Sequence, residues 1–300
     1  MPEFRILTSG DEVALESFLV AFPDTSLQLR SNLRAAGLVD RGRHLEATYA
    51  AAIEEGRVVA VAAHCWNGNL LVLAPSHVAE VARLAVQRAG RPVAGLFGPW
   101  PEVVAAREAL SLTEATTTTD SRDVLYTLDL EHLRVPLLLL SGEAVCRLAV
   151  ESESPLLTQW RVDFAFEALG ASDSVTLRAA SRETVESCQA SGDLWLLTVG
   201  ERPVACSILI ARVPEAVVVG GVWTPPEFRG LGYARAVVAG SLDAVRQRGV
   251  RRAVLFADRA NASSRAAYEA IGFVNAGDFG VVLFADPGPT PHPSVLRLPS

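Results

Sequence analysis

The segment Val217–Ala234, VVVGGVWTPPEFRGLGYA, constrains the fold more than any other part of the chain. Its β-branched run reads as a buried strand, Pro225 and Pro226 stop that strand, and Arg229-Gly230-Leu231-Gly232-Tyr233-Ala234 opens a helix. The two glycines let the backbone turn so that successive N–H groups face one concavity. Those amides join the unsatisfied N–H groups of the helix start and the positive end of its dipole. A strand, turn and helix joined in this way make a seat for phosphate or pyrophosphate. The glycines are also what any tight strand-to-helix turn requires, so the segment alone does not fix a function.

The elements around this segment alternate, which predicts a mixed α/β fold. After residue 190, Leu194–Val199, Pro203–Ala211 and Ala216–Trp223 read as consecutive strands. They are followed by a helix over Tyr233–Gln247, a strand at Ala253–Ala257, a helix from about Ser263 to Ala270 and an apolar stretch Val281–Ala285. The first half shows the same order: RVVAVAAHCW and NLLVLAP flank Asn67-Gly68, a dipeptide that favours a two-residue type I′ hairpin. From Leu70 the chain continues strand, helix, strand, helix to Leu110, with Ser76 as the expected cap of the first helix. FPDTSLQLRSNLRAAGL supplies candidate earlier helices. One order used twice implies a duplication of fold without a residue-level repeat. The expected division is a first domain at 1–135, an apolar linker strand near Leu133–Gly142, a second domain at 142–286 and a proline-rich tail at 287–300.

Composition narrows the chemistry. The 300 residues, half of them apolar, suffice for two domains with separate cores. All 27 basic residues are arginine, which rules out a P-loop lysine and Schiff-base catalysis, although genome bias is the simplest cause. The net charge is −7 and neither half is basic, which argues against general nucleic-acid or anionic-membrane binding. Cys65, Cys146, Cys188 and Cys206 are scattered with no metal-ligand spacing, so free thiols and no metal are expected. The start MPEFRILTSGDE has no leader-like apolar stretch, and no run is long enough to span a bilayer; the expected localisation is cytoplasmic.

The informative spacing is Arg229-Gly230-Leu231-Gly232-Tyr233-Ala234 behind two prolines, then Asn261-Ala262-Ser263-Ser264-Arg265-Ala266-Ala267-Tyr268, then Gly272-Phe273. This pair of motifs resembles the GCN5-related N-acetyltransferases, the GNAT family, over roughly Gly142–Asp286. The resemblance implies two tandem GNAT-like domains with a complete acyl-CoA site in the second. It implies that the backbone of Val222, Trp223 and Thr224 pairs with the pantetheine arm of acetyl-CoA. Amides of Arg229, Gly230, Leu231, Gly232, Tyr233 and Ala234 would hold the pyrophosphate. Asn261 and Ser264 would complete the cofactor contacts, and Tyr268 would protonate the departing thiolate, a task that suits a phenol with pKa near 10. Each role has a structural alternative. Arg229 can tie down its own loop, Asn261 is a natural helix cap, and Tyr268 fits the core face of its helix.

The acceptor side is less determined. Several family members place a glutamate on the strand before the loop, but here that strand, AVVVGGVWT, has no carboxylate. Asp258 and Glu215 are candidate bases by position, although Asp258 equally suits a turn. Trp160, Arg161, Asp163 and Glu167 either line an acceptor cleft or form the solvated face of a helix. His64, Cys65 and Trp66 read better as packing than as a site, and the basic run Arg246–Arg252 as a helix end entering a strand. The first half lacks the glycine motif at Leu70–Glu80 and is expected to be a degenerate domain. The expected activity is transfer of an acetyl group to an amine of a small molecule or peptide. A non-catalytic acyl-CoA sensor and a transferase of another acyl group are the alternatives.

Overall fold

The computed structural model describes residues 1–288. The chain divides into two compact units, one formed by 1–123 with 278 onward and the other by 124–277. The boundaries therefore differ from the expected 1–135 and 142–286, and the first unit is discontinuous in sequence. Of the proline-rich tail, Pro287 and Gly288 end the last strand, and the remainder lies outside the described residues.

The first unit runs β1 (Glu3–Ile6), α1 (Glu12–Leu19), α2 (Leu27–Ala36), β2 (Ala47–Glu54), β3 (Arg57–Cys65), β4 (Asn69–Leu73), α3 (Val78–Ala89), β5 (Val93–Pro99) and α4 (Trp100–Ala109). The strand β6 (Thr117–Asp129) then passes into the second unit, which begins its own series after the short turn of helix α5 (Leu137–Leu140). That series is β7 (Ala144–Leu148), α6 (Ser154–Leu169), α7 (Val175–Ser191), β8 (Leu194–Val199), β9 (Arg202–Val213), β10 (Ala216–Trp223), α8 (Tyr233–Arg246), β11 (Arg252–Ala257), α9 (Ala262–Ala270) and finally β12 (Val274–Gly288).

The two units share one topology. In the first, antiparallel pairs β1–β2, β2–β3 and β3–β4 lead to the parallel pair β4–β5. In the second, β7–β8, β8–β9 and β9–β10 lead in the same way to the parallel pair β10–β11. The sixth strand is exchanged. Phe279–Leu283 of β12, from the end of the chain, pairs with β5, whereas Val124–Asp129 of β6, from before the second series, pairs with β11.

Each unit buries a core on both faces of its sheet. In the second unit, Val217, Val219, Leu255, Val237 and Leu242 pack between the sheet and α8–α9. Leu157, Trp160, Val185, Cys206, Ile208 and Trp223 pack between the opposite face and α6–α7. The amphipathic pattern of α8, with Ala236–Ala239, Leu242 and Val245 buried, explains why it lies on the sheet.

Three local expectations are corrected. The hairpin between β3 and β4 is not a two-residue type I′ turn: Gly68 N–H donates to Cys65 O, and only Gly68 has a positive φ there. The cap of α3 is His77 rather than Ser76; its ring contacts Glu54 at 2.8 Å, and its backbone takes the left-handed conformation. The apolar stretch before Gly142 is one helical turn, not a linker strand, with Leu138 and Leu139 against the second core and Leu137 and Leu140 exposed. Among the described residues, no helix is long and apolar enough to cross a membrane.

Candidate active site

The site is built where β10 and β11 part. Their parallel ladder runs from Ala216–Arg252 to Val219–Leu255, and Gly220–Trp223 continue beyond it. On its other edge β10 keeps pairing with β9, Gly220 opposite Ile208 and Trp223 opposite Cys206, which inserts an extra residue into β10. Gly221, within this bulge, has φ +55°, a conformation that L side chains rarely adopt. A bulge re-aims backbone groups, and here it lies beside the gap between the parallel strands.

Pro225–Phe228 form a tight turn, with Phe228 N–H donating to Pro225 O. The backbone then reaches α8 through Gly230 (φ +79°) and Gly232 (φ +80°), with Gly232 as a helix cap that has no side-chain acceptor. The amides of Gly230, Leu231, Gly232, Tyr233 and Ala234 have no backbone acceptor among the described residues. A Cβ on Gly230 would meet open space, whereas one on Gly232 would meet the Arg235 guanidinium. The Arg229 N–H, expected among the cradle amides, instead donates to Pro226 O within the turn.

Arg229 ties this loop to its surroundings. Its Nε donates to Thr224 O at 3.0 Å, its Nη2 pairs with Glu167 at 2.8 Å, and its guanidinium lies 5.0 Å from the Trp223 ring centroid. The second arginine of the motif, Arg235, was not anticipated. It is exposed, packs over Gly232 and has no ion-pair partner among the described residues. Its place one turn into the helix leaves it able to add positive charge at the cradle.

Asn261 caps α9, its Oδ1 accepting from Ser264 N–H at 2.9 Å, which leaves its side-chain NH₂ group available. Tyr268 is buried against Phe273, with ring centroids 6.2 Å apart, in the same apolar cluster as Val219, Leu255 and Ala236. Burial pushes its phenol up to about 12, so it holds its proton at neutral pH. Trp223 belongs to the cluster on the opposite face, toward α6–α7. The sheet therefore separates the Trp223 and Tyr268 side chains.

The candidate bases do not gather at the site. Asp258 accepts from Ala260 N–H at 2.8 Å and orders its turn, and the Glu215 carbonyl accepts from Arg251 and Arg252. Asp163 accepts from Gln159 Nε2, and Glu167 pairs with Arg229. A cavity beside the bulge is lined by Trp160, Arg161, Phe164, Cys206, Gly221 and Trp223 among others, and includes no carboxylate.

The model of the acetyltransferase (GNAT) family matches residues 157–273, a stretch that begins in α6 and ends just after Tyr268 and Gly272. Residues 157–273 are a GNAT domain. Solved structures show the same fold over nearly the whole chain. An acetyltransferase of the GNAT family from Colwellia psychrerythraea is 15% identical with TM-score 0.51, covering 94% of this chain and 99% of its own. A GCN5-related N-acetyltransferase from Sphaerobacter thermophilus is 15% identical with TM-score 0.56, covering 94% of each chain. A tandem GNAT protein from the clavulanic acid biosynthesis pathway is 15% identical with TM-score 0.52, covering 96% and 99%. No curated protein matches the sequence significantly.

The first unit repeats the GNAT topology but closes the corresponding place. A Cβ on Gly98 of β5 would lie 2.3 Å from Val72 O of β4, so the two strands are in close approach there. The Glu102 carboxylate, in the first turn of α4, accepts from Ala74 N–H just past β4. No glycine stands between β4 and α3, and His77 takes the left-handed position before the helix. His64, at the hairpin, is fully buried with Nε2 3.2 Å from Gly68 O, and burial depresses its pKa to about 4. It serves packing, as does the buried Cys65 beside it.

Proposed function

We propose that the second unit binds acetyl-CoA and transfers its acetyl group to an amine, while the first unit is a degenerate partner without a cofactor seat. The observation that carries this reading is the cradle of unpaired amides from Gly230 to Ala234, opening a helix directly beyond the separation of β10 and β11. The residues fit the group. The backbone of Val222, Trp223 and Thr224 runs past the end of the ladder and can pair with an amide-bearing arm. The cradle suits a pyrophosphate, and the side-chain NH₂ of Asn261 is available as a donor. Ser264 stands one turn into α9, beside Asn261.

Acetyl-CoA supplies an acyl group activated as a thioester. The chain contributes binding, orientation and one proton. Tyr268 carries a hydroxyl that stays protonated at neutral pH and is assigned the role of acid toward the leaving sulfur. Arg229 is placed as a brace for the loop rather than as a direct phosphate ligand, since Thr224, Glu167 and Trp223 already engage it. With no carboxylate in the cavity at the bulge, the amine must reach the site already neutral or lose its proton to water.

Calorimetry with CoA and acetyl-CoA, followed by a panel of amines with free-thiol release as the readout, tests the reading. Binding with turnover of at least one amine supports transfer. Tight binding with no turnover across the panel favours an acyl-CoA sensor, for which the missing carboxylate is the motivating observation. Absence of binding removes both.

A further inference from the structure

The strand-to-helix turn that forms the proposed cofactor seat is gripped from outside by one face of α6. Phe164 and Glu167 stand three residues apart on that helix, so both side chains lie on the same face. Phe164 meets the Trp223 ring edge-on at the end of β10, with centroids 6.5 Å apart. Glu167 Oε2 accepts from Arg229 Nη2 at 2.8 Å, and the Arg229 guanidinium lies over the same Trp223 ring. Arg229 in turn donates from Nε to Thr224 O, bridging the two ends of the turn. The contacts thus run without a break from α6 through Glu167 and Arg229 to the carbonyl where the turn begins.

Helix stability does not explain a glutamate at this place. Glu167 lies in the last turn of α6, which has no basic residue, and a negative charge there opposes the helix dipole. Fold stability does not explain it either. Both partners of the ion pair are about half exposed, and such pairs contribute little. What the pair does supply is direction. An arginine side chain has many rotamers, and the carboxylate holds this one in the rotamer that caps Thr224 O. Gly230, the next residue, begins the run of unpaired amides, so the direction of Arg229 bears on the direction of the cradle.

We propose that Glu167 is a positioning residue for the cofactor seat. Through Arg229 it holds the turn from Thr224 to Gly230 in the shape that aims the cradle amides, and so ties the affinity for acetyl-CoA to the place of α6. The inference rests on the proposed function for its ligand and on the ligand-free turn for its geometry.

Two measurements on the full chain test it. In the first, without ligand, amide hydrogen exchange is read at Phe228 and Arg229, whose N–H groups donate to Pro225 O and Pro226 O within the turn. Glu167→Ala is expected to speed exchange at both, and Glu167→Gln, which keeps a hydrogen-bond acceptor, to stay near the wild type. In the second, calorimetry with CoA should show binding weakened about fivefold or more by Glu167→Ala and largely restored by Glu167→Gln. In Arg229→Met, which has already lost the tie, Glu167→Ala should add nothing, the signature of residues that act through one another. In turnover assays the loss should fall on KM for acetyl-CoA rather than on kcat. The melting temperature of both Glu167 variants should stay near that of the wild type, because the pair is exposed; this separates a misaimed turn from a damaged fold. Unchanged exchange in Glu167→Ala, an equal loss of affinity with and without Arg229, or tighter CoA binding in Glu167→Ala overturns the proposal. Tighter binding would mean that Glu167 withholds Arg229 from the phosphates. Failure of the wild type to bind CoA would count against the proposed function alone, since exchange in the ligand-free chain judges the tie without it.

Discussion

Tyr268 packs in the core of the second unit and is proposed to act as the acid toward the leaving sulfur. Its ring fills the cluster around Phe273 and Leu255, and the same burial that makes it a good packer raises its pKa to about 12. Tyr268→Phe keeps the ring and deletes the hydroxyl. The expected outcome is a fall in turnover on the order of a hundredfold with little change in CoA affinity. Unchanged turnover in a thiol-release assay would leave Tyr268 with its packing role alone. Glu102 offers a second test at this scale. Burial pushes its carboxyl up to about 7, only partly offset by the Ala74 N–H. The folded state therefore holds this proton where the unfolded chain, near the ordinary glutamate value, has released it. Its contribution to stability is fullest below about pH 4.5 and declines as pH rises toward 7. Glu102→Gln should thus melt close to the wild type at pH 4.5 and above it at pH 8, by an increasing margin between, as read by thermal denaturation across pH. At this scale the sequence reveals Asn261, Asp258 and the cradle glycines, since capping, turn and left-handed backbone chemistry are local. Arg161 is not legible in that way. In sequence it is one charge in the polar stripe of α6, and only the packing of α6 brings it beside Cys206 and Trp223 at the bulge.

Among the elements, the turn into α8 holds most of the proposed cofactor seat. Gly232→Ala puts a Cβ at φ +80° and against the Arg235 guanidinium, at a backbone cost of about 1–2 kcal/mol. The strained loop should re-aim its amides and weaken CoA binding at least tenfold by calorimetry. Arg235→Gln, which leaves the backbone alone, should weaken binding less and reduce its dependence on salt. Elements with a strong apolar signature were readable to their ends: β8 and β10 begin and end where the runs at Leu194–Val199 and Ala216–Trp223 predict. The helix α7 was not. It buries only Ser181 and Val185, so it carries no apolar period, and its place on the sheet depends on α6. The cap of α3 failed for a similar reason. Ser76 is the better intrinsic cap, but the contact between His77 and Glu54 of β2 belongs to the tertiary fold.

At the scale of the whole molecule, the exchanged strands decide what can be cut. Dividing the gene at the expected 142–286 boundary would discard Val124, Tyr126 and Leu128, all nearly fully buried in the core of the second unit. At about 1.5–3 kcal/mol for each buried side chain, the loss approaches the whole net stability of an ordinary domain. A 142–286 fragment should therefore be unfolded or aggregated, while a 124–277 fragment gives a cooperative melt by circular dichroism. The first unit has the matching requirement, since Val282 and Phe284 of β12 belong to its core. None of this was legible in the local pattern. Val281–Ala285 reads as a strand, but which sheet receives it is a long-range choice.

That choice also orders events in time. Translation releases β1 to β5 well before β12, which follows the whole second unit, yet Phe97 of β5 pairs with Val281 of β12. Until the last strand has left the ribosome, the nascent first unit presents an open β5 edge, a template for pairing with the wrong chain. Its native sheet closes only after the synthesis of the entire second unit, so the first unit waits on a strand that lies beyond its neighbour in the sequence.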